Sequence, residues 1–98
     1  MLQISIKLYL DTSVAKKAKV DLIDGKKIID SVISDSPLKS IDKIIKKNNL
    51  KLNDIEEFDY NHGPGSFTGL RVGAAVINTL NWTMNKNAKS KDIKYQDR

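Results

Sequence analysis

Cysteine does not occur once in the 98 residues of this chain. Disulfide bonds and thiolate metal sites are therefore excluded, and the composition fits a reducing compartment. No apolar run approaches the ~20 residues that a membrane-spanning helix needs. The first ten residues alternate apolar and polar side chains, unlike the continuous apolar core of a signal peptide. We expect a cytoplasmic protein that does not contact a membrane.

Acidic residues are too few to balance the basic ones, since 12 acidic and 17 basic side chains give a net charge of +5. Residues 86–98 carry five basic and two acidic groups, and so contribute +3 of that charge. We expect residues 1–85 to form a single domain and residues 86–98 to form a basic, flexible tail. Such a tail could contact RNA, or it could be only a solvated terminus.

Three consecutive strands are predicted in the first third of the chain. Apolar and polar residues alternate over residues 4–10, which is the two-residue period of a strand with one buried face. Residues 19–23 and 28–33 are predicted to be two further strands, joined by the hairpin signal Asp24-Gly25. Together the three strands should form an antiparallel meander.

A helix, a strand and a second helix follow. Ser36 and Pro37 predict the start of the first helix, with serine as its N-cap and proline at the first helical position. Residues 58–60 are predicted to be the fourth strand, and the pattern from about residue 68 to 85 is helical. The order βββαβα predicts an α/β fold with a mixed sheet and two main helices. This is half of the ribonuclease H-like, actin-like ATPase architecture, with the first strand between the hairpin and the fourth strand.

The connection into the second helix is the most distinctive stretch of the chain. Residues 62–69 place three glycines and a proline between strand and helix, where most other residues would resist the turn. Ser66 is placed to cap the helix. The turn at Gly63, Gly65 and Ser66 could bind an anion through free backbone N–H groups. The alternative is that the glycines let strand and helix pack closely.

Known phosphate and nucleophile motifs do not match this turn. A P-loop requires a lysine that is missing here, and the dinucleotide fingerprint requires one residue fewer between Gly65 and Gly69. A nucleophile elbow would need glycines two residues before and two residues after Ser66. The second helix that follows is apolar nearly all round, which is more apolar surface than so small a domain can easily cover. Surplus surface of this kind usually marks a contact with a partner.

The block from His62 to Gly73 resembles the signature of the TsaB family, formerly called YeaZ. Residues 8–13 are similar to the family's first strand and Asp-Thr-Ser turn, and residues 50–55 match its link into the fourth strand. The resemblance implies an actin-like fold and a non-catalytic subunit that organises and activates the catalytic subunit TsaD. The pair helps to install threonylcarbamoyl on the tRNA adenosine next to the anticodon. An ATPase partner, TsaE, joins them.

The resemblance also implies where the partner binds. ATP and magnesium would belong to the partner subunits, with no cofactor in this chain, and the pairing surface would lie on the two helices. The residues assigned to it are Phe67, Leu70, Arg71, Gly73, Ala74, Ile77, Leu80, Met84, Leu38, Ile41 and Ile45. The partner would be a TsaD-type subunit or a second copy of this chain. A large charged residue in place of Gly73 should then abolish pairing while the monomer stays folded.

Two alternative functions stay open on the sequence alone. One is a small nucleotide-binding enzyme that uses the glycine turn and Asp11, which lies where actin-like ATPases keep a metal-linked aspartate. The other is a tRNA-binding accessory protein that uses the basic tail. We interpret Asp11 as a turn former, His62 as a loop residue with a local hydrogen bond, and Trp82 as a residue that packs within the domain or across an interface. No pair of carboxylates is placed convincingly for a metal ion.

Overall fold

The computed structural model describes residues 5–84. The elements in order are β1 (Ile6–Asp11), β2 (Ala18–Asp24), β3 (Lys27–Ser34), α1 (Pro37–Lys47), a 3-10 turn (Leu52–Asp54), β4 (Glu57–Tyr60) and α2 (Phe67–Thr83). The predicted order βββαβα is therefore confirmed. Ile4 and the basic tail at residues 86–98 lie outside the described residues. Within residues 5–84, no helix has the length and apolar character needed to cross a membrane.

The four strands form one mixed sheet in the order β3-β2-β1-β4. β1 pairs antiparallel with β2 and parallel with β4, so that Leu8 lies between Leu22 and Phe58. The position of β1 between the hairpin and β4 is therefore confirmed. Gly25 has a φ of 67° at the turn between β2 and β3, in the left-handed region that the hairpin signal requires.

The hydrophobic core lies on one face of this sheet. Alternate residues of β1, among them Leu8 and Leu10, are fully buried there together with their neighbours on β2 and β4. Ile44 from α1 and Ile77 from α2 belong to the same cluster of buried side chains. Because side chains alternate along a strand, both helices must cover this same face. The domain therefore has two layers, one of strands and one of helices.

The opposite face of the sheet carries charged side chains together with isoleucines. Lys7 forms an ion pair with Asp59 (3.6 Å), and Lys19 lies 3.9 Å from Asp21. Burial raises the pKa of Tyr9 at the centre of this face, and nearby carboxylates raise it further. Ile23 and Ile33 lie on the same face, in register with Lys7 and Lys19 respectively, and Ile33 is exposed.

The start of α1 follows the sequence prediction except in one hydrogen bond. Ser36 occupies the N-cap position and Pro37 the first turn, yet the Ser36 side chain makes no capping hydrogen bond. The Ser34 hydroxyl instead donates to the Ser36 carbonyl oxygen (2.8 Å), which also accepts from the Ser40 N–H (3.0 Å). The predicted helix start is confirmed, whereas the predicted role of the Ser36 hydroxyl is wrong.

Candidate functional site

The glycine turn between β4 and α2 packs directly on the end of β1. The Ser66 N–H donates to the Ser13 carbonyl oxygen (2.7 Å), which ties the turn to the segment after β1. Gly65 has a positive φ of 158°, and a Cβ atom there would lie only 2.8 Å from the same Ser13 oxygen. A side chain at Gly65 would therefore push the turn away from β1.

Two further glycines make room for Thr12 against α2. Thr12 is buried, and its hydroxyl donates to the Gly69 carbonyl oxygen (2.5 Å). A Cβ atom at Gly69 would collide with the Thr12 carbonyl oxygen, and one at Gly73 would collide with the Thr12 hydroxyl. The sequence analysis missed this contact. Its only signal in the sequence is the four-residue spacing of the two glycines, which places them on one side of the helix.

Protein acceptors already use two of the backbone N–H groups that an anion could bind in this turn. The Gly63 N–H donates to the Asn61 side chain (3.0 Å), and the Ser66 N–H is bound by Ser13. The Ser66 hydroxyl accepts from the Gly69 N–H (3.1 Å), which confirms Ser66 as the N-cap of α2. The geometry favours close packing of strand and helix over anion binding.

Asp11 is also bonded within the turn. Its carboxylate accepts from the Ser13 N–H (2.9 Å) and from the Asn61 amide nitrogen (3.1 Å). Burial acts to raise the pKa of Asp11, but the hydrogen bonds from Ser13 and Asn61 outweigh it and hold this pKa below its ordinary value. The interpretation of Asp11 as a turn former is confirmed. Across residues 5–84 no three His, Cys, Asp or Glu side chains are grouped to hold a metal ion.

His62 stacks on Tyr60 rather than contacting a nucleophile. The two ring centroids are 4.1 Å apart and the ring planes differ by 19°. The Nε2 atom of His62 lies 3.7 Å from an Asp59 carboxylate oxygen. The predicted local hydrogen bond is thus replaced by a ring contact and a nearby carboxylate, while the predicted placement of His62 in a loop is confirmed.

The side of α2 turned away from the sheet is exposed and carries both apolar and polar side chains. Phe67 is 72% exposed, Trp82 84% and Val72 42%. The Arg71 guanidinium lies 5.3 Å from the centre of the Phe67 ring, within reach of a cation–π contact. We call this surface the outer face of α2. Its apolar residues are Phe67, Val72, Ala75 and Trp82, and its polar residues are Thr68, Arg71, Asn78, Thr79 and Thr83.

The structure divides the residues that the sequence analysis assigned to a partner interface. Phe67, Arg71 and Leu38 are exposed, whereas Leu70, Ala74, Leu80 and Met84 are half-buried. The remaining four, Gly73, Ile77, Ile41 and Ile45, are buried inside the domain. Gly73 faces Thr12 and the three isoleucines belong to the buried core, so none of the four is available to a partner and that part of the assignment is corrected.

The expectation for a charged residue at Gly73 is corrected for the same reason. Thr12 occupies the space beside Gly73, so a large side chain there would disturb the fold itself before it could affect a partner. The sequence analysis described α2 as apolar nearly all round but did not assign Val72, Ala75 and Trp82 to the interface. Their positions around the helix, opposite Gly73 and Ile77, were the signal that could have identified them.

Comparison with known proteins identifies a matching protein family and two relatives of this chain. A family model described as "TsaD: tRNA N6-adenosine threonylcarbamoyltransferase" matches residues 34–89. The MG208 homologue of Mycoplasma pneumoniae is 33% identical over 93 residues, covering 85% of this chain and 46% of that protein. The tRNA threonylcarbamoyladenosine biosynthesis protein TsaB of Haemophilus influenzae is 44% identical over 43 residues, covering 44% of this chain and 18% of TsaB.

Solved structures share the fold. YeaZ from Pseudomonas aeruginosa matches with a TM-score of 0.73 and 22% identity, over 84% of this chain and 41% of YeaZ. A P. aeruginosa protein described as similar to peptidase YEAZ matches with a TM-score of 0.71 and 24% identity, over 84% of this chain and 40% of that one. The actin-like, ribonuclease H-like fold is thus confirmed. The chain spans less than half the length of each relative. Since the family model matches more than half of the chain, this protein belongs to the TsaD/TsaB (YeaZ) family.

Proposed function

We propose that this chain is a non-catalytic subunit that pairs with a TsaD-type catalytic subunit in the threonylcarbamoyl modification of tRNA adenosine. The observation that carries the proposal is the outer face of α2, where Phe67 and Trp82 are exposed on a helix whose other side packs on the sheet. Large aromatic side chains on a helix are costly to leave in water and are enriched at the centres of protein interfaces. The pairing surface is the outer face of α2.

The composition of this face suits a helix–helix contact. Burying a large apolar side chain such as Phe67 contributes about 1.5–3 kcal/mol, and Trp82 offers a still larger area. Ala75 is exposed between them, and its small side chain lets a partner helix approach closely. Arg71, held over the Phe67 ring, adds a fixed positive charge at the edge of the contact. Leu38 on α1 is a further exposed apolar residue that could join it.

The polar side chains of the glycine turn support a non-catalytic role. The Ser66 hydroxyl caps α2, the Asp11 carboxylate closes a turn, and the His62 ring stacks on Tyr60. Each has a structural partner in the domain. In this proposal ATP and magnesium bind to the partner subunits, tRNA is the substrate of the complex, and TsaE joins it in the cytoplasm.

The test is a comparison of binding to a TsaD-type subunit from the same organism. Calorimetric titration should give a Kd at least tenfold weaker for Trp82→Ser than for the native chain, since more than about 1.4 kcal/mol of burial is lost. Ile33→Ser is the matched control, because Ile33 is 60% exposed on β3, away from α2. Equal affinity of Trp82→Ser and the native chain would contradict the proposal.

Self-association is distinguished in the same experiment. Sedimentation of the native chain alone shows whether the outer face of α2 joins two copies. A dimer that Trp82→Ser dissociates, together with no binding to the TsaD-type subunit, would replace the proposed heterodimer by a homodimer. A native chain that stays monomeric at micromolar concentration and binds the TsaD-type subunit would support the proposal.

A further inference from the structure

β3 lies at one edge of the sheet, and β2 is the strand that pairs with it in the described part of the chain. The loop after β4 donates a hydrogen bond to the Leu10 carbonyl oxygen, so the backbone groups of Leu10 point towards β4. Those of Val20, which lies opposite Leu10 on β2, therefore point towards β3 and bond Val32. Because these groups alternate along a strand, the backbone N–H and C=O of Ser31 and Ile33 point outward from the edge.

The hydrogen bond of the Ser31 N–H agrees with this direction. It donates to the side chain of the preceding residue, Asp30, at an exposed position (2.9 Å). Proteins commonly protect edge strands with local substitutes of this kind, and a pairing strand can displace them. The Asp30 carboxylate would keep partners after such a change, because it also accepts from Lys47 (3.2 Å) and Asn48 (2.8 Å) of the α1 region.

Three isoleucines of β3 are exposed beside this edge. Ile28 is 56% exposed, Ile29 46% and Ile33 60%. Ile28 pairs with Ile23 on the face turned away from the helices, and a β-bulge inserts Ile29 next to it. Ile33 lies on the same face, since it pairs with Lys19 of β2. An edge strand with exposed apolar residues and free backbone groups is a site at which another strand can add.

We propose that β3 pairs antiparallel with β3 of a second copy of this chain, around a two-fold axis at Ser31. The outward groups of the two Ser31 residues then form the central pair, in which each N–H donates to the C=O of the other copy. On either side of the axis, Ile33 of one copy lies opposite Ile28 and Ile29 of the other. Cross-strand pairs of β-branched residues stabilise a sheet.

The charges at the two ends of β3 favour a second copy as the occupant. Lys26 and Lys27 are exposed at the start of the strand, and Asp35 follows its end with a side chain that is 72% exposed. An antiparallel two-fold pair places the start of one strand beside the end of the other, so the two lysines meet Asp35 of the second copy at both ends. Lys39 lies 3.2 Å from the same carboxylate in an exposed pair, which leaves the carboxylate accessible.

The contact is small and is separate from the proposed pairing with TsaD. Interfaces below about 1,200 Å² are usually weak, so we expect a Kd on the order of 100 μM. α2 packs on β4 and β1, so its outer face stays free in this dimer. At the low micromolar concentrations of the calorimetric titration the chain is mainly monomeric, and Ile33→Ser remains a valid control there.

Sedimentation equilibrium of the native chain from about 10 μM to 1 mM tests the pairing, and we expect a monomer–dimer equilibrium. Ser31→Pro removes the outward N–H and should weaken the association at least about tenfold, while an edge strand tolerates proline where the N–H faces solvent. Ser31→Ala is the matched control. Both variants lose the hydroxyl that donates to Asp21 (2.5 Å), but Ser31→Ala keeps the N–H and should associate like the native chain.

A charge exchange tests the antiparallel register and does not depend on the folding of Ser31→Pro. Asp35→Lys and the double variant Lys26→Asp/Lys27→Asp each place like charges at both ends of the paired strands, so each alone should lose self-association. An equal mixture of the two should form a dimer with one copy of each, because opposite charges then meet at both ends. Circular dichroism checks that each variant is folded.

A native chain that stays monomeric at about 1 mM would overturn the proposal, since such a concentration exceeds the expected Kd tenfold. Equal association of folded Ser31→Pro and the native chain would also overturn it, as would a mixture of the folded charge variants that stays monomeric. Loss of the native dimer in Trp82→Ser would assign self-association to the outer face of α2 instead. A dimer that persists in Trp82→Ser supports the pairing through β3, whatever the result for the TsaD-type subunit.

Discussion

Thr12 shows how a single side chain can fix the distance between a strand and a helix. Its hydroxyl lies between Gly69 and Gly73, so Gly73→Ala should destabilise the native chain by about 1–3 kcal/mol through overpacking. In a Thr12→Ala background the hydroxyl is absent. There Gly73→Ala should be neutral or stabilising by up to about 1 kcal/mol, because alanine favours a helix over glycine. Urea unfolding of the four chains in this mutant cycle measures the difference.

Gly69 provides the control for that cycle. Its Cβ would collide with the Thr12 backbone oxygen, which no substitution at Thr12 removes. Gly69→Ala should therefore stay destabilising in both the native and the Thr12→Ala backgrounds. If Thr12→Ala reduced the loss of stability caused by Gly69→Ala and by Gly73→Ala equally, the contact described at Gly73 would be wrong.

Asp11 provides a pH-dependent prediction. Its pKa is lower in the folded chain than the ~3.9 of an unfolded one, so it stabilises the fold above that pH. This stability is lost as the pH falls through the folded pKa. Asn61→Ala removes one of the hydrogen bonds, so the Asp11 pKa measured by NMR should move up towards its ordinary value.

The exposed amide variant Asn78→Ala is the control for that measurement, and it should leave the Asp11 titration unchanged. Free energies of unfolding between about pH 2 and 5 should show a weaker dependence on pH for Asn61→Ala than for the native chain. An Asp11 pKa that is the same in both variants would contradict the role given to Asn61.

At the scale of elements, the two helices begin with serines that differ in function. Ser66 caps α2 through its hydroxyl, whereas Ser36 precedes α1 without such a bond. Ser66→Ala should therefore cost about 1 kcal/mol of stability, and Ser36→Ala should cost close to nothing. Thermal or urea unfolding of the two variants checks this. Equal losses would show that the hydrogen-bond assignment at one of the two helix starts is wrong.

At the scale of the whole molecule, a bound partner should raise the stability of the domain. A partner that binds only the folded chain, present at one hundred times its Kd, stabilises it by about 2.7 kcal/mol. The melting temperature of the native chain should rise accordingly when the TsaD-type subunit is added. The rise should be clearly smaller for Trp82→Ser and unchanged for Ile33→Ser, which differ only in the surface that they alter.

Most of the elements follow from local signals in the sequence. The two-residue period in β1, the Asp24-Gly25 hairpin and the proline at the start of α1 each act over a few residues, so they could be read directly. Ser66 and the glycines before it identified the start of α2 in the same way. The long motif from residue 62 to 73 also allowed the family to be recognised.

The tertiary structure alone decided which side of α2 is free. The helix is apolar nearly all round, so its pattern could not show that Gly73 and Ile77 face the sheet while Trp82 faces solvent. The orientation of α2 on the sheet depends on Thr12, which lies far away in sequence. Thr12 packs against α2 at Gly69 and Gly73, where a larger residue would collide with it. Local periodicity therefore determined the order and type of the elements. Contacts between distant residues determined the surface left for a partner, because burial is a property of the packed chain rather than of any one segment.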